Sequence, residues 1–477
     1  MATEKTTNIV AKFGGTSLAT GHAVGRVGEI VVTDPKIKAV VVSAPGKRWE
    51  NDTKITDQLK SWYEAAQRGE STACQPRVFA QRFEAIAAVH LRDEALKLYK
   101  QEIGKSSRIL DNEFHRKGND ICTLDYALSR GEYYMAMLMA QILGWEFVDA
   151  AKLIRFGESG LPHWELSYSL IVNHLDSLRA AGKTRFVIPG FYGSDINGNG
   201  TVVFTRGGSD VTGAIIAAAL GWQYENWTDT DGLMTADPRI VHNVSRVHEL
   251  TYREAEEAAY LGMGALHPLT LYPMIKGGLE MWVKNTHNIS CPGTKIASEL
   301  PPDDAHPVRL ITGRSDFSIV TIEQPLMNES IGIVAEVSYL FASSGISIDH
   351  MPGGTNSLSV VIDNRKAPID LIEKVAGIVA EKCGAKVQCE HGVALVSIIG
   401  ADMKKHVGVA SLVISAIAHA DVNIRLINQG ASEVNITIGV RADNLSKAIQ
   451  AVHHACFGVH IPSFLKRKDE LGVLYPG

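Results

Sequence analysis

The 477-residue sequence predicts an α/β protein. A first domain of about 300 residues has a mainly parallel sheet, and two copies of a smaller α/β unit follow it. Three observations lead there. Strand-length apolar runs alternate with longer helical stretches through the first part of the chain. Several of those runs are apolar throughout, as suits strands covered on both faces. The last part of the chain repeats itself in one ungapped register.

In chain order, residues 8–13 read as a strand ending in Gly14-Gly15-Thr16-Ser17, and residues 37–43, with Ala39-Val40-Val41-Val42, as a second. Residues 56–110 read as helical, rich in Ala, Glu, Gln, Leu and Lys, with Pro76 the only proline. A helix over 124–143 and a strand over 145–149 follow, then strands over 185–188, 201–205 and 225–228. Asp195-Ile196-Asn197-Gly198-Asn199-Gly200 is a turn-rich hairpin connection. Residues 292–307, with Pro301-Pro302, read as a linker, so the first domain is set at 1–297 and the linker proper at 298–312.

The repeats are then 313–389 and 390–477. Ser318–Ile322 matches Ala394–Ile398, Gly332–Ala342 matches Gly408–Ala418, Ile346–Ile348 matches Val422–Ile424, and Leu358–Ile362 matches Val434–Ile438. Each pair is offset by 76 residues, as in 322 to 398 and 362 to 438. The pattern predicts a strand–helix–strand–strand–helix unit in tandem. Two copies are too few for a solenoid, so they must pack on each other or on a partner chain.

Composition excludes several classes. The formal net charge of −5 provides no basic field for nucleic acid or an anionic membrane. The run Lys466-Arg467-Lys468 is ended by Asp469 and Glu470. Six cysteines without any Cys-x-x-Cys spacing suit reduced thiols, and neither a disulfide framework nor a zinc site is expected. With no apolar leader and no run of 18 apolar residues, the cytoplasm is the expected compartment.

Four constellations carry chemistry. Lys12 precedes Gly14-Gly15 at a strand end, where glycines admit a phosphate to the backbone amides and lysine adds a positive charge. The order is not that of a Walker A loop, and alone it is as well explained by a structural turn. Arg206-Gly207-Gly208-Ser209-Asp210 stands between a strand and a helix read as 211–220. A helix N-terminus there favours an anion, and Ser209 or Asp210 is equally suited to capping it. Thr228-Asp229-Thr230-Asp231-Gly232, with Thr235-Ala236-Asp237-Pro238-Arg239, offers acids and hydroxyls for a ribose, a base edge or a metal-bound water, or forms a tight acidic turn. Ser129-Arg130-Gly131-Glu132 has the spacing of a capping box.

In this order the blocks resemble the aspartate kinases (aspartokinases) of the amino-acid kinase family, and the resemblance covers nearly the whole chain. It implies a three-layer amino-acid-kinase-like sandwich and two C-terminal ferredoxin-like (ACT) units. The implied activity is transfer of the ATP γ-phosphate, with Mg²⁺, to the β-carboxylate of L-aspartate. Lys12 and Asp210 are the catalytic pair. Lys12, Gly14, Gly15, Thr16, Thr228, Asp229, Asp231, Asp237 and Arg239 serve the nucleotide. Ser43, Thr56, Glu132, Arg206 and Ser209 serve aspartate, with Glu132 on its ammonium and Arg206 on its α-carboxylate. His267-Pro268 and residues 285–294, as a closing strand, match the end of the catalytic domain.

The ACT units imply feedback by an end-product amino acid, lysine first and threonine second, with Ser347, Asp349, Asn428 and Gln429 as effector contacts, and a homodimer or larger assembly. The chain departs from the family where Gly262-Met263-Gly264-Ala265-Leu266-His267-Pro268 lacks a lysine, and Lys47 or Arg48 is expected to compensate with a phosphate contact. Alternatives from the same residues are a catalytically silent amino-acid sensor and a related carboxylate kinase. A dinucleotide oxidoreductase would need a Gly-x-Gly-x-x-Gly after the first strand, which is absent.

Overall fold

The computed structural model describes residues 8–116, 122–205, 207–264, 266–301, 306–430 and 434–458, and the backbone of 466–467. Two compact units emerge. The first holds the described residues up to 233, with 248–252 and those of 265–300; the second holds 234–247, 253–264 and those from 301 on.

In chain order the elements to residue 297 are β1 (Ile9–Phe13), α1 (Gly21–Thr33), β2 (Ile37–Val42), α2 (Ile55–Arg68), α3 (Gln75–His90), α4 (Asp93–His115), α5 (Leu124–Leu143), β3 (Glu146–Phe147), α6 (Trp164–Ala180), β4 (Phe186–Pro189), β5 (Tyr192–Ser194), β6 (Thr201–Val203), α7 (Gly208–Leu220), β7 (Gln223–Thr228), β8 (Glu249–Thr251), α8 (Tyr252–Tyr260), α9 (Pro268–Gly277), β9 (Met281–Asn285) and β10 (Thr294–Ala297).

The sheet of the first unit runs β3-β4-β2-β1-β7-β9-β10-β8, and every neighbouring pair is parallel except β9 and β10. Ile9, Ala11 and Phe13 join one core with Val24, Leu59, Trp62 and Phe83 of the helices on that face. The other face of β1, β2 and β7 is covered by α7, with α6 and α9 beside it. The mainly parallel three-layer α/β arrangement is therefore as the sequence implies, and β5–β6 is the expected hairpin, its Asp195 carboxylate accepting from the Asn197, Asn199 and Gly200 amides.

Three local expectations give way. The single helical stretch over 56–110 is α2, α3 and α4, because Gly69 ends α2 in a left-handed conformation (φ 76°), Pro76 suits the first turn of α3, and Leu91 leaves α3 extended. Residues 285–294 are not one strand: 285 ends β9, 294 opens antiparallel β10, and 286–293 connect them. The linker ends earlier than the expected residue 312, since the next strand begins at 310.

The second unit contains β11 (Leu310–Glu323), α10 (Ile333–Ser343), β12 (Ser357–Asp363), α11 (Ile369–Cys383), β13 (Lys386–Ile399), β14 (His406–Val407), α12 (Val409–His419), β15 (Leu426–Asn428), β16 (Asn435–Arg441) and α13 (Leu445–Phe457). Helix α12 lies 76 residues after α10 at both ends. The third element forms later than expected: residues 346–348 and 422–424 make no ladder, and pairing starts at His350 and Leu426, again 76 apart. Each helix first turns through a left-handed residue, Gly345 or Asp421, and the chain needs several residues to regain the sheet.

One antiparallel sheet, β12-β11-β13-β16-β15, serves both repeats. The 14-residue strand β13 pairs with β11 along its length and with β16 through its second half, so it runs across residue 389/390. Among the described residues one core forms around Val337, Phe341 and Val375, another around Val413, Ile438 and Val452, and a smaller one around Phe317, Val361 and Val393.

Buried Asp363 closes β12 with Arg314 (3.1 Å) and Arg365 (3.0 Å). Burial pushes its carboxyl up, but Arg365 and Arg314 outweigh that and hold it well below the usual range. Its stabilisation is thus present above about pH 4 and lost as the pH falls through the depressed value. Asp363→Asn leaves the half-buried Arg314 without its anion, and a loss of about 3 kcal/mol is expected. Denaturant unfolding checks this, and an unchanged midpoint would refute it.

Candidate active site

In a parallel sheet, ligands are taken at the carboxyl ends of the strands, where chain connections diverge to either side. Strand β1 has β2 on one side and β7 on the other, and the expected site residues gather at those ends. Lys12, 7% exposed, forms an ion pair with Asp210 and donates to Asn226 Oδ1 at 3.2 Å. Asn226 is its register partner on β7. The sequence reading missed it; a lone asparagine inside a strand-like run was the available signal.

Asp210 lies in the first turn of α7, which starts three residues earlier than expected. The cap is Gly207 in the left-handed region (φ 60°), with no side-chain cap bond, so neither Ser209 nor Asp210 is an N-cap. The Asp210 N–H turns back to the Gly207 carbonyl (3.0 Å), and the Gly208 and Ser209 amides with the helix dipole are suited to an anion. Ser209 is buried against Gly190, where a Cβ would stand 2.6 Å from that of Ser209. Arg206 lies outside the described residues.

After β1, the Gly14 N–H donates to the Trp227 carbonyl (3.3 Å), and Thr16–Leu18 form a 3-10 turn before α1. Thr16 is exposed, whereas Ser17 is buried and bonded to Thr286 Oγ1 (2.9 Å). Ser43, at the end of β2, donates its N–H to the Phe13 carbonyl, and Thr56 is half-buried at the start of α2.

Glu132 sits well inside α5, whose true cap is Thr123, accepting from the Tyr126 N–H. Ser129 donates to the Tyr126 carbonyl (2.7 Å), so the capping-box reading fails. Glu132 is 4% exposed, and its Oε2 has no hydrogen-bond partner among the described residues. Burial pushes its carboxyl up to about 8, although the Ala44 N–H favours the anion. A buried carboxylate with a spare oxygen is suited to receiving a cation.

The nucleotide residues separate. Thr228 and exposed Asp229 stand at the end of β7 and bond to each other (3.2 Å). Asp231 ties its loop to the β9–β10 connection, its Oδ1 accepting from Asn285 (2.8 Å) and Asn288 (3.0 Å). Asp237 and Arg239 pair with each other (2.7 Å) and belong to the second unit. Arg48 is engaged by Asp52, and Lys47 donates to the Glu50 carbonyl (2.9 Å), so neither side chain is turned out to replace the absent lysine. No group of three or more metal-ligating side chains occurs among the described residues. The Gly15 amide with Lys12 fits a phosphate chain, and Asp210 fits a Mg²⁺ carried mainly by phosphates.

In the second unit Ser347 and Gln429 are exposed. Asp349 is committed internally, accepting from the Asp363 N–H (2.8 Å) and from Lys366 (3.3 Å). Asn428 meets His350 (3.0 Å), a contact between the third elements of the two repeats. A separate cleft of about 580 Å³, lined among others by Met327, Ser330, Gly332, Gly354 and Ser357, opens at the start of α10.

The amino acid kinase family model matches residues 8–285, and an ACT domain model matches residues 396–456. Aspartokinase 3 of Bacillus subtilis (strain 168) is 33% identical over 467 residues, covering 94% of this chain and 98% of that protein. The aspartate kinase structure of Clostridium acetobutylicum superposes with a TM-score of 0.80 at 33% identity, over 94% of this chain and 100% of the other. Escherichia coli aspartokinase III is similar in two states: with aspartate and ADP (TM-score 0.75, 26% identity, 94% and 99% covered) and with lysine and aspartate (TM-score 0.71, 27% identity, 94% and 99% covered).

Proposed function

Since the chain belongs to the amino acid kinase family, among its aspartokinases with ACT domains, we propose that it transfers the γ-phosphate of ATP to the β-carboxylate of L-aspartate, giving 4-phospho-L-aspartate in the cytoplasm. The observation that carries this reading is buried Lys12, beside the Gly14-Gly15 loop and paired with Asp210 at the open N-terminus of α7.

The chemistry asks for positioning and charge neutralisation more than for a base. The attacking β-carboxylate has a reference pKa of about 3.9 and is already ionised at neutral pH. Lys12 neutralises charge on the phosphoryl group in transfer, and the amides of Gly15, Gly208 and Ser209 donate to its oxygens. Mg²⁺, when bound with the nucleotide, supplies further neutralisation of the phosphates. Asp210 holds the Lys12 ammonium in place, and Asn226 holds it from the other side. Glu132 receives the substrate ammonium, while Arg206, Ser43, Thr56 and Ser209 complete the aspartate pocket. Thr228 and Asp229 serve the nucleotide. Hydroxylamine trapping of the acyl phosphate with Mg-ATP and aspartate tests the reaction, and absence of hydroxamate would overturn it.

Regulation is assigned to the ACT-containing tail, with lysine as the favoured effector over threonine. Support comes from the E. coli enzyme crystallised with lysine and from the cleft at the start of α10. Inhibition by lysine but not by threonine is the expected pattern. We assign a homodimer to the α10 face, where Leu326, Ile331, Val334 and Tyr339 expose apolar surface to solvent. Sedimentation is expected to show a dimer that Val334→Asp with Tyr339→Asp converts to monomer. A monomeric parent chain would refute the assignment.

A further inference from the structure

The turn at residues 43–47 touches both halves of the proposed reaction centre with backbone alone. On one side the Gly46 N–H donates to the Gly15 carbonyl (2.8 Å). A Cβ on Gly46 would stand 2.6 Å from the Gly15 carbonyl carbon, and one on Gly15 would stand 2.9 Å from the Ala44 oxygen. On the other side the Ala44 N–H donates to the Glu132 carboxylate, and a Cβ on Gly131 would stand 2.7 Å from that of Ala44.

The turn is held from outside. Arg82 of α3, 6% exposed, donates through Nη2 to the Gly46 carbonyl and through Nη1 to Asp52 Oδ2 (2.8 Å). Asp52 is gripped in turn by Arg48 through Nε and Nη2 (both 2.8 Å) and through its backbone N–H (3.0 Å). Burial opposes the Asp52 anion, but the Arg48 bonds outweigh it and hold the carboxyl below its usual range. A planar guanidinium spanning a carboxylate and a backbone carbonyl sets a distance and an angle that a lysine would not.

We propose that Arg82 and Asp52 are positioning residues for phosphotransfer, clamping the 43–47 turn so that the phosphate loop and Glu132 keep a fixed relation. The proposal rests on the aspartate kinase reading above. Neither side chain contacts the reacting groups; each acts through the backbone of Gly46.

The test compares Arg82→Gln, Arg82→Lys and Asp52→Asn with the parent enzyme. In Arg82→Gln the KM for aspartate is expected to rise about tenfold or more, since misplacement by an ångström has effects of that order. The pH midpoint governing that KM moves upward, because Glu132 loses a donor that favours its anion. Arg82→Lys recovers only part of both effects. Amide exchange at Gly46 accelerates about tenfold or more, the bond to Gly15 being released.

Parent-like KM, pH midpoint and Gly46 exchange would overturn the proposal. So would a lower melting temperature with KM and midpoint unchanged, which marks a mere strut. Should Arg82→Gln not fold, Asp52→Asn, which keeps its shape and loses its charge, carries the same expectations. A parent enzyme inactive on aspartate would refute the kinase reading instead, and Gly46 exchange would still decide the clamp.

Discussion

Lys12→Ala is expected to lower kcat by about a thousandfold while leaving the KM for aspartate within about threefold, because the lost interaction is made mainly to the phosphoryl group in transfer. Three features of the surroundings set the size of this effect. Lys12 is nearly buried, so water cannot take over its charge. Asp210 and Asn226 fix its ammonium from two elements, leaving little reorganisation to be made during reaction. The neighbouring Gly15 amide holds a fixed dipole but brings no formal positive charge that could substitute. Single-turnover formation of the hydroxamate measures the step directly, and a kcat within tenfold of the parent would remove Lys12 from the chemistry.

Glu132→Gln is expected to act on binding, raising the KM for aspartate about a hundredfold, in keeping with loss of one partner from a buried charge pair. Glutamine keeps the shape and the bond from the Ala44 N–H but removes the anion that meets the substrate ammonium. The pH profile separates this from general damage. Because burial raises the Glu132 carboxyl to about 8, the group is largely protonated at pH 6–7 and cannot pair with a cation. The parent KM therefore rises as the pH falls below about 8, by up to tenfold per unit. In Glu132→Gln that rise disappears. A parent profile flat between pH 6 and 8 would mean that Glu132 does not bind the ammonium.

Much of this site was legible because its chemistry is written in short contiguous blocks. Gly14-Gly15 must stand at a strand end to bring amides to phosphate, and Lys12 two residues earlier lies on the face that α7 covers. The 76-residue offset survives in the helices and in the shifted pairing at His350 and Leu426. What failed was reading function from local spacing. Ser129 and Glu132 have the separation of a capping box in the middle of a helix that Thr123 already caps. Asp231 has the composition of a ligand but is taken by Asn285 and Asn288, 54 and 57 residues away. Asp349 likewise spends its oxygens on Asp363 and Lys366.

Patterns along the chain were thus sufficient for the α/β class, the mainly parallel sheet, the tandem tail and the residue types that meet phosphate, since periodicity and backbone permissiveness are local properties. Partnership is not local. That Asn226 faces Lys12, that Glu132 is buried with an unmatched oxygen, that β11 and β13 are shared by both repeats, and that Arg82 holds Gly46 across 36 residues were decided by tertiary packing. Hydrogen bonds and burial depend on which elements are brought within about 3 Å of one another, and no spacing in a single element encodes that.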